Sequence, residues 1–215
     1  MDTQKLNLRL IGLSGMAGSG KDTVCEHLVK TYSNTKRIAL GDMLRQELMD
    51  TYGIPYEKMY ERTKDHELSP VKWWSYGETI CSRYGKWVGE SCFMTYRELM
   101  QIHGTDYRRN QDPNYWLNKW KAVVNREPPD TCIVCPDIRF NNELDVIMES
   151  GCMLYINSSI EPLTAPHPSE IKLSKWHYEI QGKGKHPVHM MCTEAEHCVE
   201  IHEFVKDNKR KSLYA

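Results

Sequence analysis

One segment constrains the fold of this chain more than any other: a glycine-rich loop, residues 15–21, that ends in lysine. The apolar run 8–13 before the loop predicts a strand, and residues 24–32 after it have the apolar spacing of a helix. Between a strand and a helix, the spacing G-x4-G-K is typical of a P-loop, in which successive N–H groups and the positive end of the helix face a phosphate. We therefore predict that Lys21 reaches the outer phosphates of a ligand. A glycine-rich turn without a ligand is the alternative.

Length and charge narrow the class of protein. A chain of 215 residues is long enough for one well-buried domain, and 40% hydrophobic with 27% charged residues is typical of a soluble globular protein. The net charge of −1 argues against nucleic acid as a partner, because sequence-independent binding to a polyanion needs a basic face. No apolar run approaches the ~18 residues of a membrane span, and residues 1–5 lack the pattern of a secretion signal. We therefore expect a cytoplasmic protein without membrane or nucleic-acid partners.

The eight cysteines are spread singly through apparent strands and helices, so we expect reduced thiols rather than disulfides. Cys132 and Cys135 have the C-x-x-C spacing of zinc ligands, but they lie in a continuous apolar run without a second pair at a matching distance. A looser group near the end of the chain combines two cysteines with two histidines: Cys192, His197, Cys198 and His202. Its spacing favours a helix with scattered polar residues over a metal site.

Asp42 and Arg45 follow the second predicted strand, residues 36–40. The side chain of Asp42 suits the N-cap of a helix that continues through residues 43–49. Ligands of α/β sheets bind beyond the carboxyl ends of the strands, so Asp42 and Arg45 could also face a substrate. Capping explains Asp42 about as well, and both interpretations stay open.

The central part of the chain divides into a polar segment and an aromatic one. Residues 53–70 have no clean period, which favours a mobile, partly helical insertion. In residues 71–87, aromatic side chains recur at spacings of three and four, which predicts an amphipathic helix. Its aromatic stripe suits a core better than a base-stacking platform, and it would serve as the interface of a homodimer if it were exposed.

Two further helices are predicted on either side of a polar loop. Residues 95–103 form the first helix, closed by Gly104 as a C-cap, and residues 105–109 form the loop. Asp112 and Pro113 stand in the preferred order for the start of the second helix, whose apolar face includes Trp116.

A continuous apolar strand, residues 131–135, is followed by Asp137 and Arg139. On the strand beside a P-loop, a carboxylate in the position of Asp137 can hold magnesium or its water. The guanidinium of Arg139 can bind a phosphate with two parallel hydrogen bonds. A helix cap for Asp137 and a surface ion pair for Arg139 are the alternatives, and the combination after such a strand favours function.

The last third of the chain alternates between strands and helices. A helix ending at Ser150 is stopped by Gly151, and residues 152–156 form a buried strand. Residues 157–187 have no strong periodicity, and loops of that length are usually functional lids or disordered. Residues 188–192 suit a last strand, followed by a helix capped by Thr193. Strands and helices in alternation predict a parallel sheet covered on both faces.

The sequence resembles the deoxynucleoside monophosphate kinases of tailed bacteriophages, which have the P-loop nucleoside monophosphate kinase fold. Four segments carry the resemblance: residues 13–23, residues 97–106, Trp116 in the helix after Asp112, and residues 136–145. Residues 167–170 (His-Pro-Ser-Glu) are a weaker match to an element of the family's lid. The resemblance also accounts for Asp22, since G-K-D-T is the family's usual form of the loop, where most P-loops have Ser or Thr on magnesium.

The family resemblance implies a single three-layer α/β/α domain over residues 1–215, with a central five-stranded parallel sheet. Its core would be residues 7–50, 91–157 and 188–208, with an acceptor-binding insertion at about 53–90 and a lid at about 158–187. It also implies phosphorylation of deoxynucleoside 5′-monophosphates to diphosphates with ATP and Mg²⁺, in the cytoplasm of a host cell if the protein is viral. Small nucleotides would be the only partners apart from a second copy of the chain.

The resemblance also assigns residues. ATP phosphates would be held by the loop and the start of its helix: Gly15, Gly18, Gly20, Lys21, Asp22 and Thr23. The acceptor would be bound by Arg97, Gly104, Thr105, Trp116, Asp137, Arg139 and Glu143, to which position adds Asp42 and Arg45. Lys21, Asp22 and Arg139 would be catalytic, and Asp22 and Asp137 would bind magnesium directly or through water. The indole of Trp116 could stack on the base or the sugar.

Departures from the family pattern keep other functions open. Residues 53–90 do not match the family, so Arg62 and Arg83 are only candidates for acceptor recognition, and residues 157–187 contain no arginine to close over the phosphate. Arg139 or one of four lysines would supply that charge: Lys172, Lys175, Lys183 and Lys185. A kinase of dephospho-coenzyme A or phosphomevalonate type would share the loop and Asp137. An ATP-hydrolysing switch protein and a non-catalytic nucleotide-binding module are the remaining alternatives.

Overall fold

The computed structural model describes residues 4–60, 66–86, 92–158 and 173–213. The chain divides into two compact units. We call Met1–Leu40 with Trp120–Ala215 the sheet unit, and Gly41–Lys119 the inserted unit. Several sequence-based assignments lie outside the described residues: Arg62, Lys172, the segment 167–170, residues 61–65 and 87–90 of the predicted insertion, and residues 159–172 of the predicted lid.

The described residues contain seven strands and eight α-helices. The strands are β1 (Leu10–Ser14), β2 (Thr35–Arg37), β3 (Leu68–Lys72), β4 (Phe93–Thr95), β5 (Cys132–Cys135), β6 (Cys152–Asn157) and β7 (Tyr178–Gln181). The helices are α1 (Lys21–Thr31), α2 (Leu40–Tyr52), α3 (Tyr56–Tyr60), α4 (Glu78–Arg83), α5 (Tyr96–Gln101), α6 (Tyr115–Val124), α7 (Asn141–Ser150) and α8 (Val188–Leu213). None of the helices described is long and apolar enough to cross a membrane.

A five-stranded parallel sheet in the order β2-β5-β1-β6-β7 forms the centre of the sheet unit. Its central strand, β1, is buried along its whole length, as is β5 beside it. Strands buried on both faces have continuous apolar runs rather than alternating ones, which is why both could be located from the sequence. Because the strands are parallel, the segments that follow β1 and β5 leave the sheet at the same edge.

Helices cover both faces of this sheet. Alternate residues of β1, Ile11 and Leu13, share one apolar cluster with side chains of α1 and α8. Gly12 points to the other face, where a Cβ would lie 2.9 Å from the sulfur of Met153 and 3.0 Å from Ile147 of α7. The predicted three-layer α/β/α architecture with a five-stranded parallel sheet is therefore confirmed.

The inserted unit has its own apolar core, and here the helix predicted for residues 71–87 is wrong. Val71 lies in β3, which pairs antiparallel with β4, and a 3₁₀-helix (Trp73–Tyr76) and α4 follow. Trp73, Tyr76 and Ile80 are buried at the predicted spacings of three and four, but Gly77, at φ 84°, interrupts the helix between them. The expected homodimer interface on a continuous helix therefore loses its basis.

Gly104 is not the C-cap that the sequence predicts, and residues 105–109 are not a loop. Both lie in a π-helical segment, Ile102–Arg109, that continues α5. A Cβ on Gly104 would lie 2.9 Å from Cδ2 of Leu44 in α2, so glycine here permits close helix packing rather than a turn. π-helical turns inside α-helices are frequent at functional sites.

The end of the chain also differs from its prediction. Residues 188–192 begin α8 instead of forming a strand, and the last strand is β7, within the segment expected to be a lid. Thr193 lies inside α8, where its hydroxyl donates to the carbonyl of His189 at 3.0 Å, so it is not a cap. Met191, Ala195 and Val199 are buried at a spacing of four, and this helical period makes residues 188–192 the start of a helix.

Candidate functional site

The loop between β1 and α1 has the backbone of a phosphate cradle. Gly15, Gly18 and Gly20 have φ values of 144°, 77° and 105°, which L side chains rarely adopt. At Gly15 a Cβ would also lie 2.4 Å from the carbonyl oxygen of Ile156, so glycine is required there. Gly20 occupies the N-cap of α1 and has no side-chain oxygen for the N–H groups of the first turn. Those N–H groups, at the positive end of the helix, are suited to an anionic ligand.

Lys21 lies across this loop. Its Nζ donates to the carbonyl oxygens of Gly15 at 2.8 Å and Met16 at 2.6 Å. An ammonium group in this position needs only a change of rotamer to reach a phosphate held by the loop. The neighbouring Asp22 and Thr23 are exposed in the first turn of α1, where a carboxylate or hydroxyl can meet a ligand or its metal ion.

A second glycine-containing turn lies against the loop. The N–H of Lys183 donates to the carbonyl of Ser19 at 3.0 Å, and a Cβ on Gly182 would lie 2.9 Å from the same oxygen. The side chains of Lys183 and Lys185 are exposed in this turn. Among the lysines suggested for closing over a phosphate, the structure therefore places Lys183 next to the phosphate loop.

Asp137 lies two residues beyond β5, the strand that pairs with β1. Its Oδ1 accepts the N–H of Leu40 at 2.9 Å and the thiol of Cys135 at 3.4 Å. Since Leu40 begins α2, Asp137 satisfies one of the N–H groups at the start of that helix. The capping interpretation of Asp137 is thus observed, while its binding of magnesium or acceptor stays a prediction. Asp42 lies within the first turn of α2 and is not the N-cap.

Glu143 and Arg139 are linked through the backbone. The carboxylate of Glu143 is 2% exposed and accepts the N–H groups of Arg139 at 2.8 Å and Phe140 at 3.1 Å. This fixes the turn between β5 and α7 and thereby the direction in which the half-buried Arg139 leaves the backbone. The structure gives Glu143 a positioning role, while the contact to the acceptor that the sequence analysis assigned to it stays a prediction.

In the inserted unit, Asp42 and Arg45 form an ion pair at 3.0 Å. The guanidinium of Arg45 lies 4.7 Å from the ring centroid of Tyr60, and the hydroxyl of Tyr60 donates to Asp42 at 3.4 Å. Tyr56 stacks on Tyr60 with 4.3 Å between ring centroids. Sequence reasoning named Asp42 and Arg45 but predicted neither their ion pair nor the two tyrosines, although the spacing of four between the tyrosines on one helix was a signal.

Trp116 is buried, and its indole N–H donates to the carbonyl of Gly104 at 2.8 Å. This bond accounts for Trp116 without a ligand, because it holds the π-helical segment against α6. Thr105 and Arg97 are half-buried in the same unit. The candidate Arg83 pairs with Asp106 at 2.6 Å, and the hydroxyl of Tyr84 donates to the other oxygen of Asp106 at 2.8 Å.

Glu47 of α2 is the centre of a polar network that sequence reasoning missed. Its carboxylate accepts hydrogen bonds from four side chains: His103 at 2.9 Å, Arg108 at 2.7 Å, Tyr115 at 2.6 Å and Lys119 at 2.5 Å. Burial alone would raise the pKa of Glu47, but these hydrogen bonds outweigh it and lower the pKa to about 2. The carboxylate is therefore ionised at neutral pH.

His103 extends this network into the core. Its Nδ1 lies 2.7 Å from the hydroxyl of Tyr76, whose oxygen is 3.2 Å from that of Tyr52. Burial lowers the pKa of His103 despite the neighbouring Glu47, so the ring is neutral at pH 7. In that state Nε2–H donates to Glu47 and Nδ1 accepts from Tyr76. The same burial raises the pKa of the Tyr76 hydroxyl well above its usual range.

Comparison with known proteins gives one relative with a kinase name. The chain is 25% identical over 176 residues to a protein of Acanthamoeba polyphaga mimivirus named "Putative deoxynucleotide monophosphate kinase", covering 76% of this chain and 81% of that protein. No protein-family model matches the chain. Among solved structures, a Cys556Ala mutant of the Mycobacterium tuberculosis APS kinase CysC aligns with 11% identity and a TM-score of 0.42, covering 89% of this chain and 96% of that one. The kinase name belongs to the mimivirus relative, and in this chain the geometry of the loop suits an anionic ligand.

Proposed function

We propose that this protein transfers the terminal phosphoryl group of ATP to a deoxynucleoside 5′-monophosphate. The observation that carries the proposal is the loop before α1, in which three glycines hold backbone conformations that open N–H groups to an anion and Lys21 lies across the loop. The name of the mimivirus relative supports the acceptor class. The cytoplasm would be the place of action, of a host cell if the protein is viral.

The loop residues fit ATP, and the carboxylates fit magnesium. The positive end of α1 and Lys21 would bind the β- and γ-phosphates. Asp22, exposed in the first turn, and Asp137, just beyond the adjacent strand, would hold magnesium directly or through water, since carboxylate oxygens suit this hard cation. Bound Mg²⁺ would supply neutralisation of the charge on the phosphates.

The chain's own contribution to the reaction is positioning and charge. The phosphate of the acceptor is already a nucleophile, so no strong general base is needed. Lys21 and Arg139 would stabilise the charge on the transferring group, and Lys183, beside the loop, is suited to the same task. Exclusion of water is required because a water molecule would otherwise take the acceptor's place.

The acceptor would be held by arginines and by the inserted unit. Arg97, Arg139 and Arg45 are the residues proposed for its phosphate, with Asp42, Gly104, Thr105, Trp116, Asp137 and Glu143 around the rest of the molecule. Residues at about 53–90 would take part in recognising the acceptor. Residues at about 158–187 would close over the bound nucleotides. Trp116 would contact the base only if its ring left the buried position described above.

The test is a coupled assay of ADP formation over a panel of deoxy- and ribonucleoside monophosphates, with dephospho-coenzyme A and phosphomevalonate as rival acceptors. We expect activity with at least one deoxynucleoside monophosphate and a fall of several orders of magnitude in Lys21→Ala. Lys30→Ala, which removes an exposed lysine from the last turn of the same helix, is the matched control. Inactivity on every deoxynucleotide, or steady ATP hydrolysis that no acceptor stimulates, would refute the proposal.

A further inference from the structure

Three metal-ligating side chains from separate elements meet within the sheet unit. Cys152 is the first residue of β6, His177 immediately precedes β7, and His202 lies on α8. One potential ligand atom from each residue lies within 4.8 Å of those of the other two. The rings of His177 and His202 are 4.4 Å apart between centroids. We call this group the Cys152 cluster.

Cys198 is the candidate for a fourth donor, since it lies on the same helix as His202. Cys198 precedes His202 by four residues on α8, so both side chains are on the same face of that helix. Cys198 packs against the apolar core to which Cys152 belongs. The sequence had grouped His202 with Cys192, His197 and Cys198, but the structure brings the His202 side chain to Cys152 and His177 instead.

We infer that Cys152, His177, Cys198 and His202 bind a zinc ion. Two thiolates and two imidazoles are the donor set of structural zinc sites, whereas magnesium and calcium prefer oxygen. Metal–ligand distances of about 2.0–2.3 Å in a tetrahedron place the donor atoms about 3.3–3.8 Å apart. The three atoms of the Cys152 cluster, within 4.8 Å, need to approach by about 1 Å, which side-chain rotation can provide.

Binding changes the hydrogen bonding of His177. At present its Nδ1 accepts the N–H of Met153 at 2.9 Å, so the neutral ring carries its proton on Nε2. A coordinated imidazole uses one nitrogen for the metal and donates from the other. The Met153 amide therefore loses its acceptor with either nitrogen as ligand, because Nδ1 then binds the metal or carries the proton of the ring. The cysteine thiols release their protons to solvent as they become thiolates.

The position of the cluster indicates a structural role. Cys152 pairs with Ile11 near the start of β1, while the phosphate loop follows Ser14 at the other end of that strand, beside Tyr155. The zinc site is thus at the opposite edge of the sheet from the proposed reaction. A metal there would join β6, the start of β7 and α8, and would stabilise the fold without entering phosphoryl transfer.

The test measures zinc and cobalt binding to the full chain after removal of bound metal. We expect one zinc per chain, a cobalt complex with thiolate-to-metal charge-transfer absorption, and a thermal unfolding midpoint that rises with zinc concentration. The Met153 amide should shift in NMR spectra when zinc is added. Cys152→Ser, His177→Asn and His202→Asn should each weaken zinc binding more than about 100-fold, and Cys198→Ser should also weaken it.

Matched controls are available on the same helix. Cys192→Ser and His197→Asn remove the same residue types from α8 outside the Cys152 cluster, and should leave zinc affinity unchanged. His177 is half-buried, so His177→Asn is the variant least expected to disturb folding, which circular dichroism checks. Full affinity in a folded His177→Asn variant, or equal losses in the controls, would overturn the inference. So would a cobalt spectrum without thiolate absorption.

Discussion

The polar network around Glu47 leads to a quantitative prediction for stability. The pKa of its carboxyl is lowered from 4.5 to about 2 in the folded protein, and its side chain is 9% exposed. A difference of this size between the folded and unfolded states corresponds to about 3 kcal/mol of stabilisation at pH 7. We expect Glu47→Gln to lower the free energy of unfolding by about that amount, because Arg108 and Lys119 lose their carboxylate partner.

The sign of the pH dependence follows from the direction of the pKa. A carboxyl whose folded-state pKa is lowered contributes stability fully above its unfolded pKa and loses it as the pH falls through the folded value. The difference between wild type and Glu47→Gln should therefore be about 3 kcal/mol at pH 5 and about half of that at pH 3.

Urea unfolding followed by tryptophan fluorescence at pH 7, 5 and 3 measures this difference, and hydrogen exchange of peptides from residues 92–119 localises it to the inserted unit. Glu57→Gln, at an exposed position of α3, is the matched control and should change stability by less than about 0.5 kcal/mol. A loss below about 1 kcal/mol at pH 7 would refute the reasoning. An equal loss at pH 5 and pH 3 would show that the charge of Glu47 is not its cause.

Other substitutions separate structural from chemical roles at the phosphate edge of the sheet. Asp137→Asn keeps an oxygen for the N–H of Leu40, so its free energy of unfolding should stay within about 0.5 kcal/mol of the wild type while phosphoryl transfer falls. Asp137→Ala should lose phosphoryl transfer and also about 1 kcal/mol of unfolding free energy. Equal activity in the wild type and Asp137→Asn would leave capping as the sole role of Asp137. Gly15→Ala should abolish nucleotide binding in calorimetry, because the added Cβ would lie 2.4 Å from the carbonyl oxygen of Ile156. A retained affinity for nucleotide would contradict the proposal that this loop binds phosphate. Asp22→Ser should change the magnesium dependence of activity, and an unchanged magnesium titration would remove Asp22 from the metal site.

The glycine-rich loop and the buried strands could be predicted from the sequence, because each is formed by consecutive residues. The loop 15–21 combines glycines at fixed spacing with a strand before and a helix after, and each of these signals is local. The buried strands β1, β5 and β6 were found for the same reason, since a strand covered on both faces is a continuous apolar run. From these elements the parallel sheet and the placement of Asp137 beside the loop follow.

Local signals failed where packing decided between two conformations. Residues 188–192 have the apolar character of a strand, but Met191 packs with Ala195 and Val199 against Ile11 and Leu13 of β1, and this packing makes them the start of α8. Gly104 has the position of a helix C-cap, yet the approach of Leu44 and the hydrogen bond from Trp116 to its carbonyl keep it inside a helical segment. In both cases the deciding contact comes from another element.

The sequence by itself determined the conformation of the glycine-rich loop, because backbone conformation at glycine and the offset of Lys21 are properties of a few adjacent residues. Only the tertiary structure decided the network of Glu47 and the Cys152 cluster. The partners of Glu47 are 56 to 72 residues away in the chain, and Met153 and His177 are 24 apart. No sequence spacing predicts the partners of a carboxylate or an imidazole over such separations. The pKa of the group and the metal it can bind depend on which groups folding brings within about 3 Å.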